Sequence, residues 1–467
     1  MPDSPNILWL TTDQQRFDAI GVNNEWGLET PNIDWIAAEG ANFTNFFVNN
    51  PVCMPSRACI NTGRYPYNHG VRTNGIEWPK DEVTLAHCLQ GAGYRTAILG
   101  KLHALPHSGR DHTRPHPSYG YDVPLVSDEP GCYPDPYIQW VRAIDPALEA
   151  KVRIPIPNVE DRGGPTGHWV FEGPEEYSHV AWVADRTIEF VRGASSSNRP
   201  WFATAGFYLP HSPCNPPQHY LDVLPEDRLP LPLRRQGELE DKPQMFRNIA
   251  RSFHKLTDED WRSFRRYYYA TCMFVDHHCG RILDALRQID ELDNTIIVYW
   301  SDHGDLIGDH WMSSKHPTNY DGIVRVPHCV RYPEKIKPGT VIEGLTECID
   351  IMPTMLQAVG APIPEGVDGA SHWQALCGEP DGGKDHVLVQ HCMPGANEVN
   401  TLRTKQFKYT HISGGQEVYI DLEDDPDEFV NRAADAAYTE RLSDARLGMI
   451  DAMVQARDKL PVRVAPY

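Results

Sequence analysis

The chain reads as an α/β protein built on a mostly parallel central sheet flanked by helices, with a small C-terminal antiparallel sheet and one helix. Three observations predict this. Four short apolar runs, Asn6 to Thr12, Tyr94 to Gly100, Trp201 to Tyr208 and Thr295 to Ser301, have the length and composition of buried strands, and each is followed by polar residues. Helical patterns lie between them, and strands that alternate with helices pair in parallel and are covered on both faces. After the linker-like GEPDGGK at Gly378 to Lys384 come three strand-like runs, VLVQH, FKYTHI and EVYIDL, and a helical stretch from Tyr438 to Lys459. The expected division is therefore 1–380 and 381–467.

Each element carries its own signal. Thr30 followed by Pro31 reads as an N-cap and first helical position before IDWIAAEG. Glu175 to Val191 repeats apolar residues at helical spacing, and Thr257 to Leu292 is long enough for one extended helix. The segments Pro106 to Pro136 and Pro210 to Pro232 read as long ordered surface loops that wall a ligand site. Their Tyr119, Tyr121, Tyr133 and Tyr220 are either stacking surfaces for an aryl or sugar group or ordinary loop anchors. Tyr267 to Tyr269 are either an interface of a homo-oligomer or core.

With 467 residues the chain can bury a large core and add a smaller unit. Its 43 basic and 64 acidic side chains leave a formal charge of −21, which argues against nucleic acid and anionic membrane as partners. A small anionic substrate fits that charge only where a few cations cluster in a cleft. The 11 cysteines are odd in number, irregularly spaced and without CxxC pairs, so reduced thiols and a cytoplasmic location are expected. The opening MPDSPNILWLTTDQQ has an acid before any base and only a short apolar run, which suits neither a signal peptide nor a membrane span.

In a parallel α/β sheet the ligand site lies beyond the carboxyl ends of the strands, so the residues after each run matter most. The first run ends in Thr11-Thr12-Asp13-Gln14 and the fourth in Ser301-Asp302-His303-Gly304-Asp305. Such acid-plus-neighbour pairs could aim ligands at one divalent cation, since carboxylate and amide oxygens suit hard metals and imidazole suits softer ones. Equally, each Asp could cap the helix that follows. The second run leads into Gly100-Lys101-Leu102-His103, the third into Leu209-Pro210-His211-Ser212-Pro213, and Lys315 lies 13 residues beyond Asp302. These donors share one edge with the candidate ligands, which is what an oxyanion such as sulfate or phosphate requires.

The stretch NNPVCMPSRACINTGRYP, Asn49 to Pro66, sets Cys53 and Arg57 four apart, on one face of a helix. On spacing alone this is a buried thiol beside a paired arginine. Cys-x-Pro-Ser-Arg followed by Ala-x-x-x-Thr-Gly-Arg, however, resembles the signature of formylglycine-dependent sulfatases in the alkaline phosphatase superfamily. Asp13-Gln14, the GKLH of Lys101 and His103, the HSP at His211, SDHG at Asp302 and SSKHPTNYDGIVRVP around Lys315 follow in the order in which sulfatases carry similar segments. The distal QFKYTHISGGQEVYIDLEDDPDEFVN is similar to the family's C-terminal subdomain. The resemblance spans nearly the whole chain.

It implies an alkaline-phosphatase-like sheet and hydrolysis of sulfate monoesters. It also implies that a formylglycine-generating enzyme converts Cys53 to formylglycine. One hydroxyl of the hydrated aldehyde attacks sulfur to give a covalent sulfo-enzyme hemiacetal, and the other expels the sulfate as the aldehyde reforms. The implied metal ligands are Asp13, Gln14, Asp302, His303 and residue 53, with Ca2+ first and Mn2+ as the alternative. Arg57 would hold the nucleophile, and His103 would take its second proton. Lys101 and Lys315 would neutralise the transferring group, and His211, with Lys315, would protonate the leaving alcohol. Asn74, in VRTNG, is either a substrate contact or a turn residue. Asp18 and Asp305 read as structural, and His69, His107, His112 and His116 as pocket-wall candidates without the spacing of a second metal site.

Two positions depart from the commonest sulfatase pattern: Gln14 replaces a second Asp, and His303 stands where Asn is frequent. Both resemble the related phosphonate monoester and phosphodiester hydrolases, whereas Lys101 and His103 resemble the sulfatases. Phosphonate or phosphate ester hydrolysis is thus the neighbouring reading. Outside the enzymes, the alternative is a non-catalytic anion or metal binder with Cys53 unconverted. A two-zinc phosphatase would need further Asp and His ligands that the sequence does not offer at recognisable positions.

Overall fold

The computed structural model describes residues 4–457 except 110, 131–134, 154–166, 198, 381–382 and 393–397. Its central sheet has eight strands: β1 (Asn6–Asp13), β2 (Ala41–Phe43), β3 (Arg95–Gly100), β4 (Val123–Val126), β5 (Trp201–Pro210), β6 (Thr295–Ser301), β7 (His328–Arg331) and β8 (Thr340–Ile342). They lie in the order β4-β3-β5-β1-β6-β7-β2-β8. Strand β1 runs parallel to β5, with Leu8 opposite Ala203, and parallel to β6, with Leu8 opposite Ile297. Only β7 is antiparallel to its neighbours.

The three central strands are buried along their whole length. That is why they read as unbroken apolar runs rather than alternating ones. Trp9 packs edge-on against Phe202 at 5.1 Å and Trp300 at 5.5 Å, joining the three strands through one aromatic row. All four sequence-predicted strands are present, Thr295–Ser301 with the expected bounds and the other three with one end shifted by one or two residues.

The helices hold with local corrections. Pro31–Ala38 begins after Thr30, but the Thr30 hydroxyl accepts from Gly21 N (2.7 Å) instead of capping. Asp276 supplies the cap from the long helix, accepting from Asn32 N (3.1 Å) and Ile33 N (2.8 Å). That long helix, Asp258–Gln288, starts in a capping box made by Thr257 and Asp260. The pattern from Glu175 resolves into a short 3-10 turn and a helix, His179–Ala194, which Ser178 caps. Among the described residues no helix is long and apolar enough to cross a membrane.

The two proline-rich segments contain regular elements where loops were expected. The first contributes β4 to the sheet edge, where Leu125 pairs with Leu99, and the second contains the helix Gln218–Asp222. Tyr119, Tyr121 and Tyr220 are buried, and Tyr121 stacks on Phe202 at 6.0 Å, so these three are anchors; Tyr133 lies outside the described residues. Tyr268 and Tyr269 are wholly buried, which makes that stretch core.

The C-terminal sheet is a meander of four strands, β9 (Val387–Cys392), β10 (Glu398–Arg403), β11 (Phe407–Ile412) and β12 (Gln416–Asp421). Strand β10 was not legible in the sequence pattern. The helix Thr439–Gln455 lays Leu442, Ala445 and Met449 on Leu388, Leu402 and Tyr419. Several ties join this sheet to the larger body. Asn49 donates to Leu388 O (2.9 Å) and Asn50 to Gln390 O (2.6 Å), so β9 braces the segment that leads into Cys53. The buried Lys408 ammonium meets the carboxylates of Asp321 and Glu428 and the carbonyl of Asn319 (3.1 Å).

Removing one partner of a buried ion cluster leaves the others uncompensated, at a cost of about 3–5 kcal/mol. We expect Lys408→Met to lower stability by that amount, measured by chemical denaturation. An unchanged midpoint would show that Asp321 and Glu428 find other partners.

Candidate active site

The sheet positions the site. Strands β1 and β6 end side by side, Thr12 opposite Ser301, and deliver Asp13-Gln14 and Asp302-His303 to one point. Gln14 has a left-handed backbone (φ 67°), which three contacts hold: its N–H donates to Asp302 Oδ1 (3.1 Å), its carbonyl accepts from the Tyr268 hydroxyl (2.7 Å), and Gln15 N donates to Ser301 Oγ (2.9 Å). Strand β3 closes on β5 through two glycines. A Cβ on Gly100 would lie 2.2 Å from Gly206 O, and one on Gly206 would lie 2.3 Å from Lys101 O. This close approach turns Lys101 and His103 over the end of the sheet. Asp128 fixes that turn by accepting from Leu102 N (3.0 Å) and His103 N (2.6 Å).

Cys53 is the first residue of the helix Cys53–Thr62 and only 1% exposed. Its Sγ lies 3.7 Å from Asp13 Oδ1, 3.2 Å from His303 Nε2 and 2.9 Å from Lys315 Nζ. The Lys315 ammonium also meets Gln14 Oε1 (3.0 Å), His211 Nε2 (2.9 Å) and His303 Nε2 (3.1 Å). His211 Nδ1 donates to Ser212 O (2.6 Å), which leaves Nε2 facing the centre. Lys101 pairs with Asp13 Oδ2 (2.7 Å) and lies over the Tyr208 ring (4.9 Å).

Arg57 braces the acids. The resemblance implies a bond to residue 53, but here the guanidinium donates to Asp302 Oδ2 (2.7 Å), Asp13 Oδ2 (3.3 Å), Lys101 O (3.2 Å) and Thr12 O (3.4 Å). Asn74 accepts from Met54 N (2.9 Å) at the start of the Cys53 helix, a capping contact on an exposed side chain. His103 stacks on His107 at 4.2 Å, and His107 pairs with Glu129 (3.1 Å). His69 is buried under the helix against Cys59 Sγ (3.3 Å), away from the pocket wall.

The electrostatics follow from this crowding. Burial pushes the Asp13 carboxyl up, but Lys101, His211, Lys315 and Arg57 together outweigh it and hold it well below the usual carboxylate range. Burial and Asp13 likewise oppose ionisation of Cys53, yet Lys315, a hydrogen bond to His211 and Lys101 bring its thiol down to about 7. Burial, then the neighbouring charge of Lys315, keeps His211 and His303 below the ordinary histidine value. For His103 burial and then His107 have the same effect.

The donor set fits one divalent cation. Ligand atoms of Asp13, Cys53, Asp302 and His303 lie within 4.8 Å of one another. His303 Nε2 stands 3.5 Å from Asp13 Oδ1 and 3.7 Å from Asp302 Oδ1. Ligands that share a cation at about 2.0–2.6 Å stand about 3–3.7 Å apart, so little movement is needed. Of the sequence-predicted site residues, Asp13, Gln14, Cys53, Arg57, Lys101, His211, Asp302, His303 and Lys315 meet in this network, whereas Asn74 sits at the start of the Cys53 helix and contacts its backbone. Sequence reading missed Asp128, Tyr208 and Ser56, whose hydroxyl donates to Asp302 O (2.5 Å), and it assigned Asp305 no contact with the site. The Gln14 amide in fact donates to Asp305 Oδ2 at 2.5 Å. Asp305 follows the DHG motif directly, which was the available signal.

Residues 5–361 match the family model "Sulfatase", and residues 308–454 match "N-sulphoglucosamine sulphohydrolase, C-terminal". An arylsulfatase of Clostridium perfringens is 33% identical over 462 residues, covering 94% of this chain and 92% of its own length. A choline-sulfatase of Rhizobium meliloti is 27% identical over 92% of this chain and 82% of its own length. Among solved structures, the phosphonate monoester hydrolase of Agrobacterium radiobacter superimposes with a TM-score of 0.86 at 26% identity, covering 99% of this chain and 98% of that one. Because the match runs through the Cys53 helix, the strand ends that carry Asp13 and Asp302 and the small sheet, the chain belongs to the sulfatase family of the alkaline phosphatase superfamily, and with it to the sulfuric ester hydrolases.

Proposed function

We propose that the protein hydrolyses sulfate monoesters, with residue 53 acting as nucleophile in its formylglycine form. The observation that carries this reading is the convergence on Cys53 Sγ, within 3.7 Å, of one carboxylate, one imidazole and one ammonium. Here Sγ stands where the hydroxyls of the hydrated aldehyde would be. The aldehyde hydrate supplies one hydroxyl to attack sulfur and a second to release the product.

Asp13, Gln14, Asp302, His303 and residue 53 would hold one divalent cation, which when bound lowers a hydroxyl's pKa and polarises ester oxygens. Three oxygen-bearing side chains favour calcium, and the nitrogen of His303 makes manganese the competitor. The chain's own groups do the rest. Arg57 holds Asp13 and Asp302 in place, and Lys101 and Lys315 bring positive charge to the oxygens of the transferring group. His103, kept neutral by its buried stack on His107, can accept a proton. His211 presents Nε2 to the leaving oxygen, oriented by its Nδ1 bond to Ser212.

His211→Asn should therefore slow alkyl sulfate esters by about 10²–10⁴-fold. Nitrophenyl sulfate, whose leaving group needs no proton, should lose less than about tenfold. A uniform loss across leaving groups, in steady-state kcat comparisons, would make His211 a binding residue instead.

A second reading rests on Gln14 and His303 together with the likeness to phosphonate monoester hydrolases. Comparing kcat/KM for an aryl sulfate and the matching aryl phosphonate monoester decides between them. We expect the sulfate to be preferred, and a preference for the phosphonate would reverse the assignment.

A further inference from the structure

Gln14 contributes an amide, and an amide has two faces. Turned one way it offers the centre a carbonyl oxygen, and turned the other way it offers two N–H donors that no cation accepts. Its backbone is already pinned by Asp302, Tyr268 and the neighbouring Gln15 contact, so the remaining freedom is the rotation that exchanges oxygen and nitrogen. In this structure Nε2 donates to Asp305 Oδ2 (2.5 Å) while Oε1 faces the centre, 3.0 Å from Lys315 Nζ.

We infer that Asp305 is the positioning residue that fixes this choice, and that it is the reason position 14 is a glutamine. A carboxylate accepts hydrogen bonds but cannot donate when ionised, so Asp305 can hold only the NH2 end of the amide. Asp305 is fully buried and Gln14 is 1% exposed, which leaves water no part in the arrangement. The other oxygen of Asp305 is committed elsewhere: Oδ1 accepts from Ile307 N (2.8 Å) and Ser314 N (2.6 Å). Those bonds close the loop that carries Lys315. One carboxylate thus orients the Gln14 oxygen from one side and anchors the approach of the Lys315 ammonium from the other. An acidic residue at position 14 would face Asp305 with two carboxylates in contact, a repulsion the burial would amplify.

The inference makes a reciprocal prediction. In Asp305→Asn the Oδ1 bonds to Ile307 and Ser314 survive, but the new NH2 faces position 14 and turns the Gln14 carbonyl away from the centre. In Gln14→Glu two carboxylates collide. In the double variant the Asn NH2 donates to the Glu carboxylate, and the site recovers. This rests on reading the centre as a cation site, so two measurements separate the claims.

The first is the melting temperature of EDTA-treated parent, Asp305→Asn, Gln14→Glu and double variant at pH 8, which involves no cation. We expect each single variant to melt several degrees below the parent and the double variant to regain most of the loss. Additive losses would overturn the inference. Should one single variant fail to fold, recovery of folded protein in the double variant is the expected result, and failure of the double variant too would overturn it.

The second is titration of the four proteins with Ca2+ and with Mn2+ by calorimetry. Asp305→Asn should bind at least tenfold more weakly than the parent, and the double variant should bind at least as tightly as the parent. Parental affinity in Asp305→Asn would overturn the inference. A non-additive melting cycle with no cation binding by any of the four would support the positioning role and overturn the reading of the centre.

Discussion

Cys53→Ala folds like the parent and loses at least about 10⁴-fold in kcat/KM toward an aryl sulfate. The size follows from what is removed: the whole covalent route, not one stabilising contact. The fold survives because Cys53 begins its helix and its Sγ is held by side chains, not by the helix backbone; Lys315 and His303 remain within 3.1 Å of each other without it. Circular dichroism and the melting temperature check the fold, and steady-state rates check the loss. Parental turnover in the alanine variant would refute residue 53 as the nucleophile.

Cys53→Ser separates attack from reset. A lone serine hydroxyl can attack the ester sulfur, releasing the alcohol and leaving a sulfated side chain. It has no second hydroxyl with which to expel the sulfate. In serine-bearing protein the expected result is a single stoichiometric release of alcohol and a mass gain of one sulfuryl group. Sustained turnover would show that direct water attack completes the cycle.

Asp302→Ala loses the cation and activity together. This carboxylate lies within ligand distance of its neighbours, accepts from Arg57 Nε (2.7 Å) and from Gln14 N (3.1 Å), and so serves as ligand and as scaffold. Burial pushes it up to about 6 despite Arg57, with Asp13 adding to the rise, so it is an acid whose ionised form depends on cationic neighbours. We expect cation affinity to fall by well over about 100-fold. Stability should fall by about 3–5 kcal/mol, reduced by whatever Asp13 retains of Arg57. Metal analysis of the purified variant decides: stoichiometric metal would remove Asp302 from the ligand set.

Much of this was legible in the sequence because the centre of the sheet is dry. Strands β1, β3, β5 and β6 carry apolar residues on both faces along their middles, and polar residues gather at or just beyond their carboxyl ends, so the strand ends and the site residues were marked by one signal. Three other strands carried no such signal. Ala41–Phe43 has three residues with a buried Asn42, His328–Arg331 contains an imidazole and a guanidinium, and Glu398–Arg403 is mostly polar. Their burial is decided by tertiary partners: His328 lies between Phe43 and Phe46 at 4.4 Å from each, and Arg403 lies over Phe47 at 4.5 Å.

The site shows the same division. Asp13, Cys53, Arg57, Lys101, His211, Asp302, His303 and Lys315 were recognisable because each sits in a short motif next to a strand end or helix start. Their mutual roles were not. That Arg57 serves the acids and Asp305 serves Gln14 depends on which side chain meets which across some 250 to 290 residues of chain, a distance at which local pattern is silent.

The position of β1 bears on how the molecule is made. Of the strands in this sheet, the one made earliest lies in its middle, and its two neighbours begin at Trp201 and Thr295. At about 5–20 residues per second, synthesis needs roughly 15–60 s before both are available. Until Trp201–Pro210 is made the apolar strand has no neighbour in the sheet, which exposes the nascent chain to aggregation. In the same interval Cys53, enclosed once the sheet closes, is still within reach of any enzyme that modifies it.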